Sequence, residues 1–449
     1  MSSSAAVSSV TPIRCRWPTR MPSCSRGRNA SIVNVSREED PVPGDTNDEI
    51  RASLREHLAW WGLRHVESDA VYFAWQRDVF SPQELTTLHR HIEAKRQATD
   101  GPAAEIAFYD LTAQPRSVPA LYSQRYEYYL EVGARVAGHL GDASTILDVG
   151  CGIGILTTFY AKRCPASTIV GIDRSPASID LARQRAQELG LTNVRFECRD
   201  LDQQDLAGCF NLIIATHTLL QAEQEPGLPS RDWSTFARPA DAQAQQGFEQ
   251  RIGVGVRLDR LRAGLTPGGR MVVFEKTRQL ARRIPFQRAL AARGLRLLAP
   301  PEPVRYRSVE EVTDDGPLYV MGAVPREQAC GWDESPEADG MPPLHLDSLR
   351  SARAQGDQPL YENHQTSAEQ GWLSLPAKQV TAQVTSTEPD GRQLHVEWGR
   401  AGAFAYLYCA NTFDQRQLVL IEPARAAVLE TYYREITREQ PAGGKEPLR

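Results

Sequence analysis

The segment ILDVGCGIGILT, residues 146–157, decides the fold of this chain. Its first half is apolar and contains β-branched side chains, which predicts a buried strand. Glycines follow at three alternate positions, Gly150, Gly152 and Gly154, and residues 155–161 can continue as a helix. Glycine permits positive φ and lets a ligand approach the backbone closely. A strand, a glycine turn and a helix N-terminus in succession therefore predict a cofactor-binding corner of an α/β fold.

Two further strands place acids near this corner. The segment STIVGID ends in Asp173, and the segment VRFECRD ends in Asp200. Because the carboxyl ends of parallel strands meet at one edge of a doubly wound sheet, both acids are expected beside the glycine turn. A carboxylate at Asp173 can accept both hydroxyls of a ribose, since each of its oxygens takes one hydroxyl proton.

Strands and helices alternate from residue 145 to about 325, which predicts a doubly wound, Rossmann-like α/β sheet of seven strands within a domain of residues 121–327. The predicted strands lie in the segments TILDVG, STIVGID, VRFECRD, FNLIIATH, GRMVVFEK, LRLLAP and PLYVMGAV. Helical patterns with N-cap residues predict an N-terminal helical cap over residues 46–120. Residues 328–356 are rich in Pro, Asp, Glu and Gly and are typical of a linker, and residues 357–449 carry the pattern of a small C-terminal α+β module.

The composition is that of a globular protein. The chain has 449 residues, 41% of them hydrophobic and 24% charged, which is enough apolar content for more than one core. The net charge of −5 argues against a general nucleic-acid or membrane-surface binder, and no apolar run approaches the roughly 20 residues that span a bilayer. The eight cysteines are scattered without a C-x-x-C pair, so we expect reduced thiols in a cytoplasmic protein and no metal site.

Residues 1–45 are rich in Ser and Arg. This composition fits a transit peptide or a disordered leader. Prolines at positions 12, 18 and 22 would break an amphipathic targeting helix, which favours the disordered leader.

Over about residues 120–325 the chain resembles the class I S-adenosylmethionine-dependent methyltransferases. The resemblance lies in five segments in the family's order and spacing, ILDVGCGIG, IVGID, FECRD, FNLIIATHTLL and LTPGGRMVVFE. A nicotinamide site usually has the glycine spacing G-x-G-x-x-G, whereas the spacing here is G-x-G-x-G. An NAD-binding Rossmann domain has the same type of fold, so it stays as the alternative. The resemblance implies S-adenosylmethionine as the cofactor.

The resemblance also implies a set of cofactor-binding residues: Asp148, Gly150, Cys151, Gly152, Gly154, Asp173, Arg174, Asp200 and Leu201. The glycines would let the backbone close around the methionine and ribose portion. Asp148 would meet the methionine amino group, Asp173 the ribose hydroxyls, and Asp200 the adenine amino group. Cys151 is interpreted as a small turn filler, and the alternative role for Asp148 and Asp200 is to cap turns.

The reaction that the resemblance implies is direct displacement at the sulfonium methyl carbon by an O, N or C nucleophile. Such a step needs in-line positioning and the exclusion of water, and a hydroxyl or ammonium nucleophile also needs a base. His217 follows the fourth predicted strand and is the candidate base; a histidine bonded to backbone is the alternative. For Glu275 we expect a structural role. Tyr122, Tyr126 and Tyr129 share one helical face, which would either cover the methyl end of the cofactor or pack in the core.

The glycine motif is also close to that of the protein arginine methyltransferases, whose loop after the fourth strand has two glutamates. Here His217 stands where a glutamate would be wanted, and Glu223 and Glu225 fall in a long polar insert. We therefore expect a small-molecule methyl acceptor, enclosed by the N-terminal cap and the insert.

Other functions stay open at this point. The segment VEWGRAG of the C-terminal module resembles the motif of WGR nucleic-acid-binding modules, although a tripeptide has a high false-positive risk. The alternatives are a protein or nucleic-acid methyltransferase addressed by this module, and a non-catalytic scaffold that binds S-adenosylmethionine. We expect neither a membrane nor a nucleic-acid partner, and a homodimer is left open.

Overall fold

The computed structural model describes residues 47–97, 102–220, 226–337, 339–351, 358–388 and 391–438. The leader predicted over residues 1–45 lies outside the described residues, as do Glu223 and Glu225. The described helices are α1 (Asn47–Trp60), α2 (Asp69–Val79), α3 (Pro82–Gln97), α4 (Pro102–Thr112), α5 (Val118–Tyr122), α6 (Tyr126–Gly138), α7 (Ile155–Arg163), α8 (Pro176–Glu188), α9 (Ala242–Ile252), α10 (Val254–Gly264), α11 (Leu280–Ala292), α12 (Leu346–Ser351), α13 (Ala368–Leu373) and α14 (Ala426–Arg438). The described strands are β1 (Thr145–Val149), β2 (Thr168–Asp173), β3 (Val194–Cys198), β4 (Phe210–Thr216), β5 (Leu265–Phe274), β6 (Arg296–Leu297), β7 (Glu302–Ser308), β8 (Glu311–Gly322), β9 (Tyr361–Asn363), β10 (Lys378–Thr387), β11 (Gln393–Ala401), β12 (Phe404–Asn411) and β13 (Arg416–Ile421).

None of the described helices combines the length and the apolar character that crossing a bilayer requires.

Helix α3 of the N-terminal region begins at a capping box formed by Ser81 and Glu84. The Glu84 carboxylate accepts from the Ser81 backbone N–H at 2.8 Å, and the Ser81 hydroxyl accepts from the Glu84 N–H at 3.3 Å. Helix α2 is absent from the sequence prediction because its Val, Tyr, Phe and Trp have modest helix propensity. It is held by packing of its own buried side chains, Tyr72 and Gln76.

The main sheet has the strand order β3-β2-β1-β4-β5-β8-β6, with β7 paired to β8. Strands β1 to β5 are parallel, and β8 lies antiparallel to β5. An antiparallel strand at this place departs from the all-parallel order 3-2-1-4-5-6 of dinucleotide-binding domains. The topology therefore disfavours the NAD-binding alternative.

The sheet has eight strands, whereas the sequence predicts seven. The additional strand β7, with the sequence EPVRYRS, forms a hairpin with β8. It escapes the sequence prediction because charged residues and Pro303 interrupt its apolar pattern, which leaves only Val304 and Tyr306 buried.

Alternation along β1 divides the core into two layers. Ile146 belongs to the apolar cluster that contains Leu54 of α1 and Val132 of α6. Leu147 belongs to the opposite cluster, which contains Leu258 of α10. Because β1 is covered on both faces, its carboxyl end and the glycine turn are held at a fixed position.

The C-terminal module is a five-stranded antiparallel sheet in the order β10-β11-β12-β13-β9, with α14 against β11 and β12. Its WGR tripeptide, Trp398-Gly399-Arg400, lies inside β11. A Cβ at Gly399 would come 2.2 Å from the Gln379 carbonyl oxygen, so this glycine permits close packing of neighbouring strands.

Part of the segment predicted as a linker, residues 328–356, is bound to the fold. Leu344, Leu346 and Leu349 pack against the apolar core of the C-terminal module, and Leu346 begins helix α12. Glu334 forms an ion pair with Arg288 of α11 at 2.7 Å. The Pro- and Asp-rich composition did not predict these contacts, because it is an average over the segment. Burial of three leucines is enough to hold the segment against the module.

The polar insert after β4 joins the sheet domain to the C-terminal module. The Trp233 ring stacks on His395 with the ring centroids 3.7 Å apart. The Ser230 N–H donates to the Thr412 carbonyl at 2.7 Å, and the buried guanidinium of Arg238 bonds to Asp414. The described part of the insert is therefore a fixed connection, and it is absent from the wall of the site described below.

Candidate cofactor and acceptor site

The glycine turn opens a cavity at the carboxyl ends of β1, β2 and β4. Gly150 has φ of 68°, and an added Cβ there would come 1.9 Å from the Thr218 side chain. Gly152 has φ of 53° and faces open space, with no heavy atom within 4 Å of an added Cβ. Gly150 is thus required by packing, and Gly152 leaves a cradle in which a ligand can approach the backbone.

Asp173 connects β2 to the glycine turn, as its position in the sequence predicts. Its Oδ2 accepts from the Gly152 N–H at 2.9 Å, and its Oδ1 accepts from the Ser175 N–H at 2.8 Å. Burial raises the pKa of this carboxyl. Each oxygen keeps a further lone pair, so the side chain can still accept two ligand hydroxyls.

Asp148 is buried beneath the turn. Its Oδ2 accepts from the Thr157 hydroxyl of α7 at 2.5 Å, so its recorded partner lies on a helix and not in a turn. Burial raises the pKa of Asp148 to about 7, and the nearby Asp173 charge acts in the same direction. A cationic ligand beside Asp148 would favour its ionised form.

Cys151 lies in the same turn. Burial raises the pKa of its thiol well above the usual value and so keeps it protonated, in agreement with a filler role.

Asp200, which follows β3, lies at the cavity beside the glycine turn. Asp200 lines the cavity, and its Oδ1 also accepts from the Asp202 N–H at 2.9 Å, which is a turn-capping contact. Leu201 is buried beside it. Arg174 bonds to Glu105 of α4 and so ties the helical cap to the cofactor cavity.

Tyrosines form the opposite wall of the cavity. Tyr122 and Tyr129 line it, together with Tyr109 and Tyr128, which sequence analysis missed. Tyr126 instead packs on His65, with the ring centroids 6.1 Å apart. A 3₁₀ turn at Ser123–Arg125 separates Tyr122 on α5 from Tyr126 and Tyr129 on α6, so the three tyrosines do not lie on one continuous helix as predicted.

His217 reaches the cavity from a strained backbone at the end of β4, with φ of 56°. Its Nδ1 accepts from the Arg125 guanidinium at 2.7 Å. Its Nε2 lies 3.1 Å from Asp315 Oδ2, although the angle departs from that of an ideal hydrogen bond. Burial lowers the pKa of His217 to about 4, so the ring is neutral at pH 7. Both partners of the ring are side chains, in contrast to the backbone-bonded alternative. The lone pair of Nδ1 accepts from Arg125, so the ring has no lone pair available for a substrate proton in this arrangement. The role of His217 as a base stays a prediction.

Arg125 lines the cavity, and sequence analysis did not identify it. Its guanidinium lies 4.1 Å from the Tyr128 ring centroid and donates to His217. It has no carboxylate partner among the described residues. In the sequence it is a single arginine within YSQRYEYY, and its role depends on contacts with residues far along the chain.

Glu275 supports the segment that carries His217. It accepts from the backbone N–H groups of Thr218 and Leu219, both at 2.7 Å, and of Leu220 at 3.3 Å. Burial raises the pKa of this carboxyl to about 7. These contacts agree with the structural role expected from the sequence.

Replacing Glu275 by alanine is expected to lower the free energy of unfolding by about 3 kcal/mol, because three buried N–H groups lose their acceptor. Urea unfolding followed by circular dichroism measures the change. The control is Glu311→Ala, which removes an exposed carboxylate from β8. A loss below about 1 kcal/mol would contradict the supporting role.

Residues 140–277 match a family model described as a methyltransferase domain. This segment therefore has the sequence pattern of a methyltransferase domain. The match begins before β1 and ends just after Glu275, so it contains the glycine turn, both strand-end acids and His217. Among the described residues there is no cluster of three His, Cys, Asp or Glu side chains that could hold a metal ion.

Curated relatives resemble the methyltransferase domain over about a hundred residues. Malonyl-[acyl-carrier protein] O-methyltransferase of Acetivibrio thermocellus is 35% identical over 104 residues, 21% of this chain and 36% of the relative. Trans-aconitate 2-methyltransferase of Deinococcus radiodurans is 38% identical over 101 residues, 22% of this chain and 36% of the relative. The chain thus spans about a third of the length of the curated relatives that it matches.

A solved structure, the N-methyltransferase NodS from Bradyrhizobium japonicum in complex with S-adenosyl-L-homocysteine, is similar at 18% identity with a TM-score of 0.29. The likeness covers 45% of this chain and 87% of NodS. A TM-score this low carries no argument about function.

Proposed function

We propose that this protein is an S-adenosylmethionine-dependent methyltransferase that moves the sulfonium methyl group to an O, N or C nucleophile of a small molecule. The observation that carries the proposal is the one cavity that Asp173 and the glycine turn line together with Tyr122, Tyr128 and Tyr129. When bound, the cofactor supplies an electrophilic methyl carbon on a positively charged leaving group. The chain then needs to orient the acceptor and exclude water.

The residues of the cavity fit this cofactor. Gly152 leaves open space beside the backbone, and Asp173 keeps lone pairs for two ribose hydroxyls. Asp148 offers a carboxylate to the methionyl ammonium group. Asp200 and Leu201 line the same cavity and would meet the adenine.

Enclosure by the N-terminal helices supports a small acceptor. Tyr109 of α4 and Tyr122 of α5 line the cavity from the side of the helical cap, and their rings offer apolar surface that would shield a bound ligand from water. The curated relatives are named for trans-aconitate and for malonyl-[acyl-carrier protein], which supports an acceptor group of modest size. We also infer a cytoplasmic location, which the free thiols of the described cysteines support.

The function is tested by calorimetry followed by a turnover assay. We expect S-adenosylhomocysteine to bind the full chain, and S-adenosylmethionine to yield S-adenosylhomocysteine with an acceptor from a panel of small acids, phenols and amines. Cofactor binding without turnover across such panels would favour the scaffold alternative. Turnover only with a protein or nucleic acid would contradict the small-molecule assignment.

The affinity for S-adenosylhomocysteine is expected to fall about tenfold per pH unit below pH 7. Asp148 holds a proton up to about pH 7 in the empty site, and the ligand ammonium group requires the ionised carboxylate. The proton must therefore leave on binding, which lowers affinity as the pH decreases. Calorimetry between pH 5.5 and 8.5 measures the slope, with methylthioadenosine, which lacks the ammonium group, as the control ligand. Equal slopes for the two ligands would remove this role from Asp148.

A further inference from the structure

Four side chains from distant parts of the chain form a continuous series at the edge of the cavity. The Tyr306 hydroxyl donates to Asp315, and the same carboxylate oxygen lies 3.1 Å from His217 Nε2. His217 Nδ1 accepts from Arg125 at 2.7 Å. The order is therefore phenol, carboxylate, imidazole and guanidinium. Tyr306 and Asp315 come from the β7–β8 hairpin, which contains the strand beyond the seven predicted ones.

The protons in this series have one consistent arrangement. A guanidinium can only donate, so His217 Nδ1 must be the acceptor. The neutral ring then carries its proton on Nε2, where it faces the Asp315 carboxylate. Against the effect of burial, the hydrogen bond with His217 lowers the pKa of Asp315 to about 2, so this carboxylate stays ionised at neutral pH. Asp315 thus fixes the tautomer of His217, and His217 fixes the orientation of Arg125.

Most of the Arg125 donors remain available to a ligand. The guanidinium has five N–H donors, and the bond to His217 uses one of them. Arg125 lines the cavity over the Tyr128 ring and has no carboxylate partner among the described residues. A partly buried cation without a counter-ion is costly, and the planar fork of arginine matches a carboxylate.

We propose that Arg125, held in place by His217 and Asp315, is a clamp for a carboxylate of the bound ligand. Asp315 is the positioning residue of this clamp, because it acts on the ligand only through His217. The proposal rests on the proposed function for the identity of the ligands. The carboxylate belongs either to the methionyl part of the cofactor or to the acceptor.

Calorimetry of the full chain at pH 7.5 distinguishes these sources with three probes: S-adenosylhomocysteine, methylthioadenosine, which lacks the methionyl carboxylate, and trans-aconitate as a carboxylate acceptor probe. If the clamp holds the cofactor, Arg125→Met weakens S-adenosylhomocysteine about tenfold or more and leaves methylthioadenosine unchanged. If it holds the acceptor, Arg125→Met leaves both nucleosides unchanged and removes binding of trans-aconitate to the cofactor-loaded protein.

Asp315→Asn is expected to weaken the same probe by about threefold to tenfold. It keeps the Asp315 backbone carbonyl that accepts from Thr277 and Arg278. Combined with Arg125→Met it should cause no further loss, which a general structural defect would not reproduce. Tyr306→Phe is a second, milder variant should Asp315→Asn fail to fold. The matched control is Asp314→Asn, whose partners are Arg278 and Arg305.

Arg125→Met that binds every probe like the wild type would overturn the clamp. Additive losses in the double variant would overturn the positioning role of Asp315. If the wild-type protein itself binds neither nucleoside, the result contradicts the proposed function and not the clamp. The two failures are therefore distinguishable.

Discussion

Asp414→Ala is expected to lower the free energy of unfolding by about 4 kcal/mol, because it leaves a buried guanidinium without its counter-ion. The Arg238 side chain is 0% exposed and bonds to Asp414 Oδ2. The same oxygen accepts from the Ala281 N–H at the start of α11, at 3.0 Å. One carboxylate of the C-terminal module therefore neutralises a buried guanidinium of the insert and accepts from the first turn of α11 in the sheet domain.

Urea unfolding of the full chain measures this loss. Asp414 has φ of 68°, a conformation that asparagine tolerates better than alanine, so Asp414→Asn separates the lost charge from backbone strain. The control is Asp347→Ala, which removes a carboxylate that is 95% exposed. A loss below about 1 kcal/mol for Asp414→Ala would show that the interface contributes little to folding.

The same contacts affect how the C-terminal module can be studied. Deleting it would leave Arg238 unpaired and would expose the Trp233 face that now stacks on His395. We therefore expect a truncated chain to lose stability, and lost turnover alone would not assign a substrate role to the module. Point variants on its outer surface, such as Tyr432→Ala, test recognition more directly.

Asp173→Ala is expected to weaken the binding of S-adenosylhomocysteine on the order of 100-fold, because two charge-assisted hydrogen bonds to the ribose are lost. The side chain also accepts from the Gly152 and Ser175 N–H groups, so a smaller loss of stability accompanies the change. Asp173→Asn keeps one acceptor oxygen and should lie between the wild type and the alanine variant.

Calorimetry with S-adenosylhomocysteine and with methylthioadenosine measures the effect, and both ligands should weaken because both contain the ribose. Asp180→Ala on α8 is the control, since that side chain is 75% exposed. Undiminished binding by a folded Asp173→Ala protein would remove the ribose assignment. A loss restricted to S-adenosylhomocysteine would place Asp173 at the amino-acid end of the ligand instead.

Local sequence was sufficient for the cofactor corner. Strand β1, the turn from Gly150 to Gly154 and helix α7 follow one another within a few residues, and each has its own signal in hydrophobicity or backbone freedom. Asp173 and Asp200 end parallel strands, and parallel strands present the same end to one edge of the sheet.

Contacts between distant residues had no such signal. Arg125 and His217 are 92 residues apart, and their bond depends on how α6 packs over the end of β4. Tyr128 lines the cavity and Tyr126 does not, and the 3₁₀ turn before α6 interrupts the single helix from which the tyrosine face was predicted. Leu344, Leu346 and Leu349 hold part of the predicted linker against the core of the C-terminal module, which the composition of the segment did not predict.

The α/β class, the glycine turn and the acids at the strand ends follow from the sequence alone, because backbone conformation and alternating burial have a signal at each residue. Tertiary packing sets which side chains face Arg125, brings Asp315 of the β7–β8 hairpin to His217, and gives the C-terminal module a buried ion pair with the insert. These partners are chosen by packing, in which a side chain's position depends on elements far away along the chain.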